Sequence, residues 1–288
     1  MRLATFNIYW LGDEGKITRT EEDRSIIARV IARLNADVII FEEIVSPEEL
    51  QDIINIVNGL TSRSYRLRDN DGQFLCDNSQ LDVPGLQKVF AAYDAEQYDL
   101  LAASPLFGGV GRRPFGLRVR HKADGGQALV VGVHLKSGQP LFTNKLSADT
   151  RKKQCQHLAD WVAGKHAASN SILPKPADGE HVVILGDFNA LYESNNPEYA
   201  VVVASLAPLR QGVMADWWWD KPLRDPAGGD RTTSYLEHLL IDYVMLSPSL
   251  KGRVVEAPTI YAYDVDPNIG ASGERISDHR PVACELKL

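Results

Sequence analysis

The chain has 288 residues, of which 44% are hydrophobic and 24% charged, an ordinary globular composition. No apolar run approaches the roughly 20 residues that a membrane-spanning helix needs. The net charge of −7 argues against a passive nucleic-acid binder, which needs a surplus of Lys and Arg against phosphate, but leaves room for an enzyme with a local basic rim around an acidic site.

Arg2 leads directly into Leu3-Ala4-Thr5-Phe6-Asn7-Ile8, which reads as a strand rather than a signal peptide and favours a cytoplasmic location over a secreted form whose signal has been removed. Thr20-Glu21-Glu22-Asp23 has the hydroxyl cap and early acids of a helix start, and Ile26, Ile27, Val30, Ile31 and Leu34 continue it with helical period. Val38-Ile39-Ile40-Phe41 is a short continuous apolar run, as in a strand covered on both faces, and ends at Glu42-Glu43. Pro47 opens a second helix through about Val57. Residues 65–86 are irregular, with turns at Asp69-Asn70-Asp71-Gly72 and Asp77-Asn78-Ser79. Strand patterns follow at 87–93, 98–103, 115–121 and 128–135. Asp149 is expected to cap a helix that buries Cys155, Leu158, Ala159 and Val162 and ends near Gly164. Residues 169–180 read as a surface connection, 182–185 as a buried strand, 207–237 as loop, and 239–246, 254–260 and 282–286 as strands.

This order, with three or four helices among many strands and no linker, repeat or Gly-rich phosphate loop, predicts a single α/β domain over 1–288 whose sheets are covered by helices. Cys76, Cys155 and Cys284 are odd in number and lack metal-binding spacing. Buried free thiols in a reducing compartment are expected, with a disulfide from Cys76 as the alternative. Nothing implies a protein partner, and a monomer is expected.

Several acids and amides fall just after strand-like runs. Glu43 follows the apolar 38–41 strand, where a cation can hold its carboxylate; the bland alternative is a solvated acid paired with Arg24. Glu42 competes, and strand alternation lets only one of the two face a site. Asp187 and Asn189 follow Leu185 across Gly186, which lets backbones approach; an Asx turn is the structural alternative. Asp278-His279 joins an oxygen donor suited to a hard cation with an imidazole that titrates near neutrality, or is merely a capped turn. His134 ends a strand. Asp242, inside an apolar strand, needs a partner, and a histidine is the natural one. The amide of Asn7 can orient a metal ligand or a phosphate oxygen. Arg118 to Lys122 and Arg151-Lys152-Lys153 are candidate basic rims, and Arg112-Arg113 before Pro114 enters a strand near the expected site. Trp217-Trp218-Trp219 reads first as packing a long loop onto a sheet edge, and second as a platform for stacked bases.

Together, Thr5-Phe6-Asn7-Ile8, Phe41-Glu42-Glu43-Ile44, Arg113-Pro114, Val133-His134-Leu135, Gly186-Asp187-Phe188-Asn189, Ile241-Asp242-Tyr243 and Ser277-Asp278-His279-Arg280-Pro281 resemble the endonuclease/exonuclease/phosphatase superfamily, the DNase I-like hydrolases. The likeness runs from residue 5 to 282 and rests on the order of the motifs. It implies a four-layered α/β sandwich, two mixed sheets face to face with helices outside and the site at one end. It implies Glu43, Asn7 and Asp278 at a Mg²⁺ ion, with Mn²⁺ or Ca²⁺ as alternatives. His279 held by Asp242, and His134, would flank the scissile phosphate. Asp187 and Asn189 would orient the attacking water and hold a phosphoryl oxygen. Arg113 and Asn7 would contact substrate.

There are departures. Glu42 stands where the family often has Gln and is expected to add negative charge near the metal. Tyr9 replaces the Asp, and His134 the Asn, of the abasic-site endonuclease branch, which favours the DNase-like or phosphatase side. Gln87 stands where a DNase-like Glu would partner the first histidine. Leu135-Lys136-Ser137-Gly138 and Ala190-Leu191-Tyr192 do not match the inositol-phosphatase or sphingomyelinase signatures. The expected activity is a metal-dependent phosphodiesterase, an endonuclease on DNA or RNA acting by in-line attack of an activated water. The rivals are a phosphatase or phosphodiesterase on a small molecule or lipid headgroup, and a binding module that has lost catalysis.

Overall fold

The computed structural model describes residues 1–13, 15–77, 86–106, 112–138, 143–165, 173–211, 214, 216–220, 233–234, 239–261 and 276–288. Among these, the first half of the chain runs β1 (Arg2–Leu11), α1 (Glu21–Leu34), β2 (Val38–Ile44), α2 (Pro47–Leu60), β3 (Tyr65–Arg66), β4 (Lys88–Asp94), β5 (Tyr98–Pro105), β6 (Phe115–His121) and β7 (Gln127–His134). The second half runs α3 (Lys145–Val162), β8 (Val182–Asp187), α4 (Ala200–Ala204), α5 (Ala207–Gln211), β9 (Trp218–Asp220), β10 (Asp242–Leu246), β11 (Val254–Ile260) and β12 (Val282–Leu286).

Thr20 caps α1 as expected. Its hydroxyl accepts from Asp23 N at 3.2 Å, and the Asp23 carboxylate accepts from Thr20 N at 2.8 Å. The third long helix begins earlier than expected. Asn144 Oδ1 accepts from Leu146 N at 2.9 Å and Ser147 N at 3.3 Å, so Asn144 caps α3 and Asp149 lies inside it. Residues 207–211, expected in a loop, form the short α5. Leu239 pairs with Ser234 as an isolated bridge, so the strand expected at 239–246 begins only at Asp242. Asn78 and Ser79, and residues 169–172, lie outside the described residues.

The strands form two mixed six-stranded sheets, ordered β11-β12-β1-β2-β4-β3 and β5-β6-β7-β8-β10-β9. One core cluster joins Ala4, Phe6, Ile39 and Phe41 to α1 and α2. A second joins Val131, Val133 and Ile184 to α3. A third, with Leu3, Val38, Ile40, Val130, Val183, Leu185 and Val244, lies between the sheets. Helices, sheet, sheet and helices therefore make four layers, and two-sided coverage explains the continuous apolar strands. The sheets meet so closely at Gly132 that a Cβ there would lie 2.6 Å from Ile40 Cγ2. All three cysteines are buried and none is in a disulfide among the described residues, and burial pushes the Cys76 and Cys155 thiols up to about 12.

Candidate active site

Strand parity and register gather the site. In β1, Ala4, Phe6 and Ile8 pack toward the helices, so Thr5 and Asn7 face the other sheet. In the second sheet, His134 ends β7 opposite Asp187 of β8, and Asp187 lies opposite Asp242 of β10. These three side chains share the parity of Val130, Leu185 and Val244 and point between the sheets at the same edge. From the first sheet come Asn7, Glu43 and the 277–279 segment that precedes β12.

Parity alone would turn Glu43 toward the helices. Glu42 continues the inward face of Val38 and Ile40 and is fully buried, accepting a hydrogen bond from Thr5 Oγ1. The β1–β2 and β2–β4 ladders both shift register at this point, and Glu43 takes φ +62°. The bulge and left-handed backbone turn Glu43 back into the site. Its Oε1 accepts from Asn7 Nδ2 at 3.3 Å and lies 3.7 Å from His134 Nε2, and its Oε2 accepts from Gln87 Nε2.

Asp187 is the centre of the cluster. Its Oδ1 accepts from Asn189 N at 2.7 Å, so the Asx turn is real. Its Oδ2 accepts from Asn189 Nδ2 at 2.8 Å and Asn7 Nδ2 at 3.2 Å, and lies 3.4 Å from His134 Nε2 and 3.9 Å from His279 Nε2. Gly186 permits this approach, because a Cβ there would sit 2.1 Å from Val133 O. Asp242 Oδ2 lies 2.9 Å from His279 Nδ1. The His279 backbone N–H donates to Ser277 Oγ at 2.9 Å, and Ser277 Oγ donates to Asn7 O at 2.5 Å. Buried Arg19 donates to Tyr9 O at 2.5 Å and Ile276 O at 3.4 Å, a tie between β1 and this segment that the sequence reading passed over.

Protonation follows burial and charge. Burial alone would lower the His279 imidazole, but Asp242, Asp278 and Asp187 outweigh it and hold it well above its ordinary value. Burial, then Arg112 and His279, hold His134 well below. Burial, then Asp242, push Asp187 well above the carboxylate range, and burial pushes Asp278 up to about 6. Burial likewise raises Glu42 well above that range, opposed by Thr5.

The Endonuclease/Exonuclease/phosphatase family model matches residues 4–279. The chain belongs to this family, whose members are hydrolases acting on phosphate esters. No curated protein matches the sequence. Among solved structures, an endonuclease/exonuclease/phosphatase from Bacteroides vulgatus aligns over 100% of this chain and 98% of its own, with TM-score 0.63 and 15% identity. The D. rerio protein TDP2, complexed with single-strand DNA product, aligns over 100% and 99%, with TM-score 0.63 and 13% identity. A mannosyl-6-phosphatase from Bacteroides thetaiotaomicron aligns over 100% of both chains, with TM-score 0.58 and 15% identity. At these identities the likeness is one of fold.

The residues present fit the divalent cation that this family commonly uses. Glu43, His134 and Asp187 bring ligand atoms within 4.8 Å of one another, as do Asp187, Asp242 and His279. Asn7 Oδ1 and Asp278 Oδ1 are buried oxygens with no hydrogen-bond donor among the described residues. Four carboxylates (Glu43, Asp187, Asp242 and Asp278) converge, and such an excess of hard oxygen is what a cation offsets. Asp278 stands outside both three-residue groups.

Other expectations fare differently. Gln87 does not partner His134; its amide lies between Glu43 and Arg112, and both His134 ring nitrogens are buried without a hydrogen-bond partner among the described residues. Arg112 brings its guanidinium to the site, donating to Gln87 Oε1 and to Leu135 O at 3.3 Å. Arg113 donates its backbone N–H to Asp77 at 3.1 Å. Arg118 pairs with Glu180 at 2.6 Å and Arg120 with Asp99 at 2.8 Å, at the end of β6 remote from His134, and Arg151 is fully buried against Lys136 O. Trp217 and Trp218 are partly buried against the cores, as the packing reading expected; the Trp219 side chain lies outside the described residues.

Proposed function

We propose that the chain is a divalent-metal-dependent phosphodiester hydrolase, with Mg²⁺ as the ion and DNA or RNA as the first substrate to test. The convergence of Asn7, Glu43, His134, Asp187, Asp242 and His279 at one sheet edge carries this reading. Glu43, with Asn7 and Asp278, would hold the cation, which supplies charge neutralisation at a phosphoryl oxygen when bound. Asp187, its carboxyl raised by burial and fixed by Asn7 and Asn189, orients the attacking water and draws its proton, with neutral His134 beside it. His279, kept protonated by Asp242, donates to the leaving oxygen. Arg112, whose guanidinium lies beside the site on Gln87 Oε1 and Leu135 O, would meet a phosphate oxygen bound there. The TDP2 complex with its DNA product supports a nucleic-acid substrate by analogy of fold.

A second reading, a small phosphoester, has an observation of its own. Arg118, Arg120 and Arg151 of the basic runs expected as a rim are engaged elsewhere, the net charge is −7, and a mannosyl-6-phosphatase shares the fold. The test is incubation with plasmid DNA, RNA, bis-p-nitrophenyl phosphate and p-nitrophenyl phosphate, with and without EDTA. EDTA-sensitive cleavage of polymer that weakens steeply with salt is expected. Turnover of monoester alone would select the second reading, and no EDTA-sensitive hydrolysis of any substrate would end both. Asp187→Ala or His279→Ala removes activity while leaving the fold intact.

A further inference from the structure

Glu43 is held by more than its own strand. It sits in the β2 bulge, between the Phe41–Phe90 and Ile44–Lys88 pairings, and Gln87 is the residue just before β4 begins at Lys88. The Gln87 amide N–H reaches across this gap to Glu43 Oε2. Its carbonyl accepts from Arg112, which also donates to Leu135 O, one residue beyond His134, at 3.3 Å. One amide thus completes a connection from the end of β7 in one sheet to the carboxylate at the end of β2 in the other.

We propose that Gln87 is a positioning residue that orients Glu43 for the cation while keeping Arg112 from neutralising it; this rests on the metal-hydrolase reading above. An amide suits the role because it both donates and accepts, so its orientation is fixed by its two neighbours. A guanidinium paired directly with Glu43 would lower the negative charge that a cation needs. Through Gln87, Arg112 reaches Glu43 by a neutral bridge. Asn7 donates to Oε1 and Gln87 to Oε2, so each carboxylate oxygen is held by its own amide. Residues that orient metal ligands in this way change affinity by about 10–100-fold when replaced.

The test is direct titration of the full-length protein with Mn²⁺ by calorimetry, for wild type, Gln87→Met and Gln87→Asn. Met keeps the length without the amide, and Asn keeps the amide without the reach. Gln87 is partly exposed at a strand entry, so both variants should fold with a metal-free melting temperature near that of the wild type. Both are expected to bind Mn²⁺ about 10–100-fold more weakly. Their hydrolytic rate should return toward wild type at saturating Mn²⁺, which a merely structural defect would not allow. Unchanged affinity in the variants overturns the role of Gln87 alone, as does a loss of rate that saturating metal leaves in place. A wild type that binds no Mn²⁺ overturns the metal-hydrolase reading as well.

Discussion

Glu43 and His279 show how single residues are tuned by neighbours distant in sequence. The His279 imidazole is held above its ordinary value only because carboxylates outweigh its burial, and Asp242 is the first of these. Asp242→Asn keeps a hydrogen-bond acceptor but removes the charge. The His279 pKa should then fall, and the proposed acid loses its proton earlier as pH rises. The expected outcome is a basic limb of the kcat/KM profile displaced to lower pH, with the variant nearer to wild type at about pH 6 than at about pH 8, where the loss approaches about 10²–10⁴-fold. A basic limb that does not move would remove His279 from the acid role. That Asp242 needs a histidine partner was legible in the sequence, since a carboxylate at a buried strand must be paired; that the partner is His279 came from the family resemblance. The choice between Glu42 and Glu43 was legible only as a choice. The bulge and the φ of +62° that decide it arise from two ladders slipping together, which no local pattern encodes. The partner of Gln87 was hidden for a related reason: it depends on where Arg112 arrives, in the bend that precedes β6 of the other sheet.

At the scale of elements, the parallel β7–β8 pair sets the spacing of His134 and Asp187, and Gly186 makes that pair possible. Val133 lies opposite Gly186 in the ladder, and the glycine has φ +140° with no room for a Cβ. Gly186→Ala must therefore separate the strands or twist β8. It should destabilise by about 1–3 kcal/mol in urea unfolding and lower kcat, because His134 and Asp187 follow in the register. Gly59→Ala is the control: a Cβ there, within α2, meets nothing within 4 Å, and a gain of up to about 1 kcal/mol with unchanged activity is expected. If both substitutions act alike, the close approach at Gly186 is not what holds the pair. Strands such as 38–41 and 182–185 could be read directly because coverage on both faces removes polar interruptions. The start of α3 could not, because Asn144 and Asp149 are equally good caps by type and only the backbone geometry selects Asn144. The helices α4 and α5 are five residues each, too short to leave a periodic signature.

For the whole molecule, the clustered acids make stability depend jointly on pH and cation. Asp278 is raised to about 6, and Asp187 and Glu42 shift in the same direction, with burial the first cause for each. A carboxyl raised in the folded state binds its proton more tightly folded than unfolded. Its contribution to stability is complete below the unfolded value, about 3.9 for Asp and 4.3 for Glu, and is lost as pH rises through the folded value. The metal-free protein should therefore lose stability from these groups as pH rises above about 4, through about pH 6 for Asp278 and beyond it for Asp187 and Glu42. A cation binds the ionised acids, so it must first displace those protons, and its effect grows across the same interval. Thermal melts with and without Mg²⁺ should differ little near pH 5 and clearly near about pH 7.5. With the ion at about 100 times its dissociation constant the gain is about 2.7 kcal/mol, or about 4–5 °C for a chain of this length. A Mg²⁺ effect that is flat with pH, or shrinks as pH rises, would mean that the ion binds away from these carboxylates. The same melts on Glu43→Gln separate the two cases, since an ion held elsewhere would stabilise that variant as much as the wild type.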